Sequence, residues 1–157
     1  MMRIVAWKKL YILLSGIFIC LISCTPEACL DETESYLKVS FFSYTTRKSL
    51  PPDSLTVYGL AMDTSFIYNK SRAVNIARLP LNAAADSSVF VLTINKITDT
   101  LLIRHFSYPH LISKECGYTY YHNILELPIP TFNTIDSIGM PKGTITTLNE
   151  ENIRIYY

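Results

Sequence analysis

The chain has 157 residues, which is enough for one domain with a buried core. Hydrophobic residues make up 49% and charged residues 17%, which excludes a generally disordered chain, and five Gly and eight Pro exclude a collagen-like or low-complexity one. A formal net charge of +1 provides no basic field for DNA or RNA, so we expect no nucleic-acid partner.

The N-terminal residues have the parts of an export signal. Arg3, Lys8 and Lys9 give a positive start, and residues 10–22 form an apolar stretch. This stretch is shorter than the roughly 20 residues that span a bilayer, which favours a cleaved signal over a permanent helical anchor. We therefore predict a signal peptide over residues 1–23.

The end of this signal resembles the lipobox of bacterial lipoproteins. Leu21-Ile22-Ser23-Cys24 has an aliphatic residue three positions before the cysteine and a small residue directly before it. The resemblance implies that Cys24 is acylated, for example with palmitate, and becomes the mature N-terminus. The protein would then be held at a membrane by its lipid. The alternative is an ordinary signal peptide that happens to contain a cysteine.

The four cysteines have three expected fates. Cys20 leaves with the signal, Cys24 is lipidated, and Cys29 and Cys116 remain in an exported protein. Because compartments outside the cytoplasm are oxidising, we predict a disulfide between these two. Metal ligation or a reactive thiol are the alternatives, although the chain has no Cys-x-x-Cys pair.

The mature chain reads as a short tether followed by one β domain. Residues 24–35 are acidic and poor in apolar side chains, which is typical of a tether. From residue 36 to 157, short runs of alternating apolar and polar residues are separated by turn-forming residues, Pro109 among them. Eight or nine strands at this spacing predict an antiparallel β-sandwich of the immunoglobulin-like kind, with a barrel as the alternative.

Several short motifs occur along the chain: the lipobox, a second cysteine soon after it, Cys116-Gly117, Ile135-Asp136-Ser137-Ile138 and the closing Glu151-Asn152-Ile153-Arg154-Ile155-Tyr156. Together they resemble small lipoproteins of Bacteroidetes that carry a domain of unknown function. The resemblance implies a place in the cell envelope, supports the β fold and brings no catalytic residues with it.

Motifs of common enzyme classes are absent from the sequence. It has no Gly-x-Ser-x-Gly elbow, no His-Glu-x-x-His pair and no Gly-rich phosphate loop, so we expect no catalysis and no cofactor. The potential metal ligands are three histidines and two glutamates without an established zinc spacing. We interpret the histidines as surface or loop residues and expect no metal; the five residues are His105, His110, Glu115, His122 and Glu126.

A row of aromatic residues is the most suggestive binding feature. Tyr118, Tyr120 and His122 project to one face if they lie in a strand, because side chains alternate along it. An exposed row of this kind can stack on sugar rings or dock a partner protein. The alternative is a half-buried sheet face, for which tyrosine is equally suited.

Three segments resemble the Asp-Ser/Thr-aliphatic pattern of O-glycosylation sites in Bacteroidetes. The acceptors would be Ser54, Thr100 and Ser137. The alternative is that Asp with Ser or Thr simply forms the turns that precede apolar strands.

From these features we predict a lipid-anchored protein of the cell envelope, at the outer membrane and on either its periplasmic or its outer side. Its expected role is non-catalytic: an accessory or interaction subunit that binds another envelope protein. A ligand-binding module, with glycan as a candidate ligand, is the alternative, and an unrecognised hydrolase is the third.

Overall fold

The computed structural model describes residues 28–60 and 65–157. The chain divides into two units, Met1–Leu30 and Asp31–Tyr157. Residues 28–30 have no regular structure, and every strand of the described residues lies in the second unit. The predicted signal peptide and the lipidated Cys24 lie outside the described residues.

The second unit is built of short strands and loops, and the described residues contain no helix. Accordingly, no helix in these two ranges has the length and apolar character needed to cross a membrane. The strands are β1 (Tyr36–Phe42), β2 (Leu55–Leu60), β3 (Tyr68–Ser71), β4 (Ile76–Pro80), β5 (Ser87–Ile94), β6 (Ile97–Ser113), β7 (Gly117–Ile124), β8 (Ile129–Pro130), β9 (Ser137–Gly139), β10 (Thr144–Ile145) and β11 (Ile153–Tyr156).

The strands form two sheets that pack on each other as a sandwich. The smaller sheet has the order β4-β1-β11-β9, and the larger has the order β10-β7-β6-β5-β2-β3, with β8 beside β6. The all-β sandwich predicted from strand spacing is thus confirmed, whereas an immunoglobulin-like arrangement stays a prediction. One pairing departs from the antiparallel expectation: β1 and β11 are parallel neighbours. Parallel neighbours need a long connection, which here is supplied by the rest of the domain.

The core between the sheets is built from alternate residues of facing strands. In β2, for example, Leu55 and Val57 are buried while Thr56 and Tyr58 are half-buried, because side chains alternate between the two faces. Each fully buried Leu, Ile, Val or Phe stabilises the fold by about 1.5–3 kcal/mol relative to an exposed position. Fifteen core residues have no exposed surface: Leu37, Val39, Phe41, Leu55, Val57, Ala77, Leu79, Phe90, Leu92, Ile94, Leu101, Ile103, Ile145, Ile153 and Ile155.

A buried asparagine joins the two sheets. The side-chain oxygen of Asn152 accepts a hydrogen bond from the backbone N–H of Lys38 at 3.0 Å, and the backbone N–H of Asn152 donates to the Lys38 carbonyl. The side-chain nitrogen of Asn152 donates to the carbonyl of Lys142, which precedes β10, and to the carbonyl of Thr144 in β10. Because the polar atoms of a buried amide must be hydrogen-bonded, this network holds β1 of the smaller sheet against β10, the edge strand of the larger sheet.

β6 is longer than the sequence pattern predicts. It continues through Pro109, which lies opposite Tyr120 of β7 instead of forming a turn, so the turn predicted at Pro109 is wrong. His105 donates its N–H away from β7, to the Asp86 carbonyl. The backbone N–H groups of a strand point to the same side at every second residue, so the Pro109 nitrogen also faces away from β7. The proline therefore removes no hydrogen bond between β6 and β7.

The remaining outcomes concern the limits of two strands and the state of the cysteines. β7 ends at Ile124, and the two-residue strand β8 is too short to show an alternation in the sequence. Cys29 and Cys116 are both disulfide-bonded, which is the state predicted for the two cysteines of the mature chain.

Candidate functional site

The second half of β6 and the first half of β7 form a two-stranded arm. The pairing of β5 with β6 ends at Arg104, and the pairing of β10 with β7 ends at His122. We call residues 108–121 the hairpin arm, because over this range β6 and β7 pair only with each other among the described strands. Both of its strands therefore have an edge without a neighbouring strand.

Both edges of the hairpin arm are blunted against further strand pairing. On the β6 edge, Pro109 has no N–H to offer. On the β7 edge, the Ser35 hydroxyl donates a hydrogen bond to the Tyr120 carbonyl. A proline and a hydrogen-bonded carbonyl reduce the tendency of an open edge to recruit another strand. The side-chain faces of the arm, rather than its edges, are left for recognition.

One face of the hairpin arm carries the tyrosines singled out by the sequence. The register places Tyr118 opposite Leu111 and Tyr120 opposite Pro109, on the face that continues to His122. Tyr118 is 73% exposed and Tyr120 is 50% exposed, whereas His122 is only 3% exposed. Tyr118 and Tyr120 therefore form an accessible pair together with Leu111, and His122 belongs to the interior.

The opposite face of the hairpin arm is a ladder of ring contacts. The rings of His110 and Tyr121 stack at 4.1 Å between centroids, and Tyr121 meets Tyr108 edge-on at 6.2 Å. Phe106, at the base of the arm, stacks with Tyr108 at 6.2 Å. Sequence reasoning missed this face because a turn was expected at Pro109. The alternation of residues 104, 106, 108 and 110 was the available signal.

A shallow depression lies beside Tyr120. Its volume is about 230 Å³, and its lining includes Ser35, Leu81, Tyr120 and His122. Ligand sites for small molecules are usually about 300–1,000 Å³ and enclose most of the ligand. The surface around the exposed tyrosines is therefore closer to a flat apolar patch than to a ligand pocket.

Behind the tyrosines, two buried histidines and two serines form a hydrogen-bonded chain. Ser88 Oγ lies 2.9 Å from His105 Nε2, His105 Nδ1 lies 3.3 Å from Ser107 Oγ, and Ser107 Oγ lies 2.8 Å from His122 Nδ1. The two imidazole rings meet edge to face at 5.5 Å. The interpretation of these histidines as surface or loop residues is wrong for His105 and His122, because β6 and β7 direct both of them into the sandwich.

Burial keeps this pair of histidines uncharged. Burial, and to a smaller extent the neighbouring His105, lower the pKa of His122 to about 4. Burial also lowers the pKa of His105, although Asp86 acts in the opposite direction. Neutral imidazoles can each donate and accept one hydrogen bond, which suits the serine partners. These four side chains therefore provide hydrogen-bond partners for one another inside the domain.

The five potential metal ligands do not come together. His110 stacks on Tyr121 in the hairpin arm, and Glu126 forms a salt bridge with Arg104 at 3.2 Å. Within the described residues, no group of three or more His, Cys, Asp or Glu side chains is placed to hold a metal ion.

The three candidate O-glycosylation residues are all half-buried. Ser54 precedes β2, Thr100 lies within β6 and Ser137 opens β9. The acid before Thr100 differs from the other two, because Asp99 has no exposed surface while Asp53 and Asp136 are exposed.

Comparison with known proteins gives one match. A family model described as a family of unknown function, DUF6452, matches residues 54–157. The matched span includes the whole hairpin arm and runs to the last strand. Neither the curated proteins nor the solved structures provide a match.

Proposed function

Because the chain belongs to DUF6452, a family of unknown function, we propose a role from its own residues: it is a lipid-anchored protein of the cell envelope that binds a protein partner through the hairpin arm. The role is an accessory one, without catalysis. The location that we propose is the outer membrane, and the resemblance to small lipoproteins of Bacteroidetes supports a place in the cell envelope.

The anchor rests on the sequence Leu21-Ile22-Ser23-Cys24 at the end of the export signal. Two or three acyl chains on one cysteine are enough for stable membrane attachment, because each buried methylene contributes about 0.8 kcal/mol. We expect Cys24→Ala to move the protein from the washed membrane fraction to the soluble fraction, measured by immunoblot. Cys20→Ala is the matched control and is expected to stay with the membrane. Retention of the Cys24→Ala protein in washed membranes would count against lipid anchoring.

The exposed tyrosine pair carries the proposal of a docking role. Monomeric proteins seldom leave contiguous aromatic and aliphatic side chains in solvent without a use for them. Tyr118, Tyr120 and Leu111 lie together on one face of a structure that extends beyond the paired strands of the sheet. Tyrosine is also among the residues that contribute most to protein interfaces.

The chemistry of the hairpin arm favours a protein partner over a sugar. Its two strand segments, residues 108–113 and 117–121, contain no Asp, Glu, Lys or Arg, and Lys114 and Glu115 are confined to the tip. A sugar-binding site usually combines a stacking ring with polar groups that converge on it in a concave pocket. The depression beside Tyr120 is small, so the surface fits an uncharged, apolar patch on another protein.

The test is crosslinking in intact cells followed by purification of the protein and its bound partner. We expect a stoichiometric partner with the wild-type chain and its loss when Tyr118 and Tyr120 are both changed to Ala. Truncation of one hot-spot tyrosine weakens binding by about 2 kcal/mol or more, which is roughly 30-fold in Kd. Phe132→Ala is the control, because Phe132 is similarly exposed but lies outside the arm.

Two results would contradict the docking role. One is that nothing co-purifies under conditions that capture a known envelope complex. The other is a partner that binds the double tyrosine variant as well as it binds the wild-type chain. In either case, direct binding of soluble glycans to the exposed ring of Tyr118 becomes the leading alternative.

A further inference from the structure

Three loops meet at one end of the larger sheet and enclose an open cleft. Leu55, at the start of β2, pairs with Ser71 of β3 on one side and Ile94 of β5 on the other. The loops next to these three residues are therefore neighbours. They enclose a volume of about 800 Å³ whose lining includes Pro52, Asp53, Ser54, Lys70, Arg72 and Lys96. The cleft shares no lining residue with the hairpin arm.

The cleft carries an excess of positive charge. Lys70, Arg72 and Lys96 line it, and Asp53 is the acidic residue among the lining side chains. None of the three cations takes part in the salt bridges found between described residues. Three cations and one carboxylate leave an excess of positive charge among the lining residues, and an anion in the cleft would neutralise it.

Two of these cations occupy backbone positions that favour glycine. Asn95 and Lys96 have φ values of 48° and 80° and form the two-residue turn between β5 and β6. A turn with two positive φ angles strongly prefers Gly at its second position. Lys70 has a φ of 51° where the register of β2 with β3 shifts, which is another position suited to glycine. A lysine at each position costs backbone stability and supplies a charge to the cleft.

The loops are held together before any ligand arrives. Ser54 N–H donates to the Asn95 side-chain oxygen at 3.2 Å, and Asn95 N–H donates to the Ser54 carbonyl at 3.0 Å. Across the cleft, Ala73 N–H donates to the Pro52 carbonyl at 3.2 Å. Pre-ordered loops reduce the entropy that binding must overcome.

We propose that this cleft is a binding site for a phosphate group. A guanidinium can bind two phosphate oxygens side by side, and two ammonium groups can neutralise the remaining charge. Arg72 supplies the first of these groups, and Lys70 and Lys96 supply the second. The same phosphate chemistry occurs in soluble phosphate compounds and in phospholipid headgroups, and an open cleft admits either.

The decisive variant is Lys96→Gly, because glycine suits the turn while it removes the charge. Inorganic phosphate is titrated into the full-length purified protein, and the amide signals of Ser54, Ala73 and Lys96 are followed by NMR. We expect saturable shifts in the wild-type protein. Lys96→Gly is expected to weaken phosphate binding about three- to fivefold, the effect of one exposed charge pair, with an equal or higher Tm. The triple variant with Lys70→Gly, Arg72→Gln and Lys96→Gly is expected to lose binding.

The control is Arg47→Gly. Arg47 is a cation with a positive φ, 57°, as the two lysines also have positive φ values, but it does not line the cleft. Phosphate binding is therefore expected to be unchanged. Binding to vesicles of phosphatidylglycerol, compared with binding to vesicles of phosphatidylcholine, distinguishes a phospholipid headgroup from a soluble phosphate compound as the source of the phosphate. Stronger binding of the wild-type protein to phosphatidylglycerol vesicles than to phosphatidylcholine vesicles, absent in the triple variant, identifies a headgroup site. Binding of inorganic phosphate without this preference for phosphatidylglycerol vesicles identifies a soluble phosphate compound. The proposal is overturned if inorganic phosphate produces no saturable shifts, or if Lys96→Gly binds it as tightly as the wild-type protein.

Discussion

Among single residues, Asp99 makes the largest set of hydrogen bonds to the connection between β8 and β9. Its buried carboxylate accepts the Thr131 hydroxyl at 2.6 Å and the N–H groups of Asn133, Thr134 and Ile135 at 2.7–3.1 Å. Burial by itself would raise the pKa of Asp99, but these four hydrogen bonds outweigh it and the pKa is lowered. A carboxylate held in this way satisfies three backbone donors that have no strand partner.

We expect Asp99→Ala to lower the free energy of unfolding by about 3 kcal/mol. The substitution leaves three backbone N–H groups without their acceptor, and an unsatisfied buried polar group costs about 1–3 kcal/mol. Urea unfolding followed by circular dichroism measures the change. Asp136→Ala is the control, because Asp136 is exposed and surface substitutions usually stay within about 0.5 kcal/mol. Equal stability of the two variants would show that the carboxylate does not order the connection.

Among the strands, β11 determines whether the smaller sheet holds together. It lies between β1 and β9, so it is the strand through which the end of the chain closes the sheet. Its residues alternate between buried Ile153 and Ile155 and half-buried Arg154 and Tyr156, which is the pattern of a paired strand. Its parallel pairing with β1 was not predictable, because alternation is the same in both directions of pairing.

Loss of one core side chain in β11 is therefore expected to weaken the whole domain. Ile155 has no exposed surface, and Ile155→Ala should lower the unfolding free energy by about 2–5 kcal/mol, as large-to-small core substitutions do. Ile76→Ala is the matched control, because Ile76 lies in the edge strand β4 and is 43% exposed. Its expected cost is below about 1 kcal/mol. A fully stable Ile155→Ala protein would indicate that β11 is dispensable.

For the molecule as a whole, the buried histidines make stability depend on pH. The pKa of His122 is lowered from 6.5 to about 4 in the folded state. The unfolded chain therefore takes up a proton before the folded one does as the pH falls. The contribution of the neutral imidazole is complete above about pH 6.5 and is lost progressively between pH 6.5 and pH 4.

We expect the unfolding free energy to fall by up to about 3 kcal/mol between pH 6.5 and pH 4, the equivalent of the shift in the His122 pKa. His122→Gln, which carries no titrating proton in this range, should reduce this dependence in urea unfolding curves recorded at each pH, while the part that comes from His105 remains. His110→Gln should keep it, because His110 lies in the exposed arm. If the His122→Gln protein loses stability over this interval as steeply as the wild-type protein, His122 is not the group responsible.

The sequence by itself determined the class of fold, most of the strands and the disulfide state of Cys29 and Cys116. These depend on alternation over a few residues and on the number of cysteines, both of which are readable locally. Only the tertiary structure decided that His122 is buried while Tyr120, two residues earlier in the same strand, is exposed. It also decided that β6 continues through Pro109 and that Lys70, Arg72 and Lys96 converge. The reason is that side-chain direction repeats every second residue, whereas burial depends on distant strands that cover one part of a face and leave the next part open.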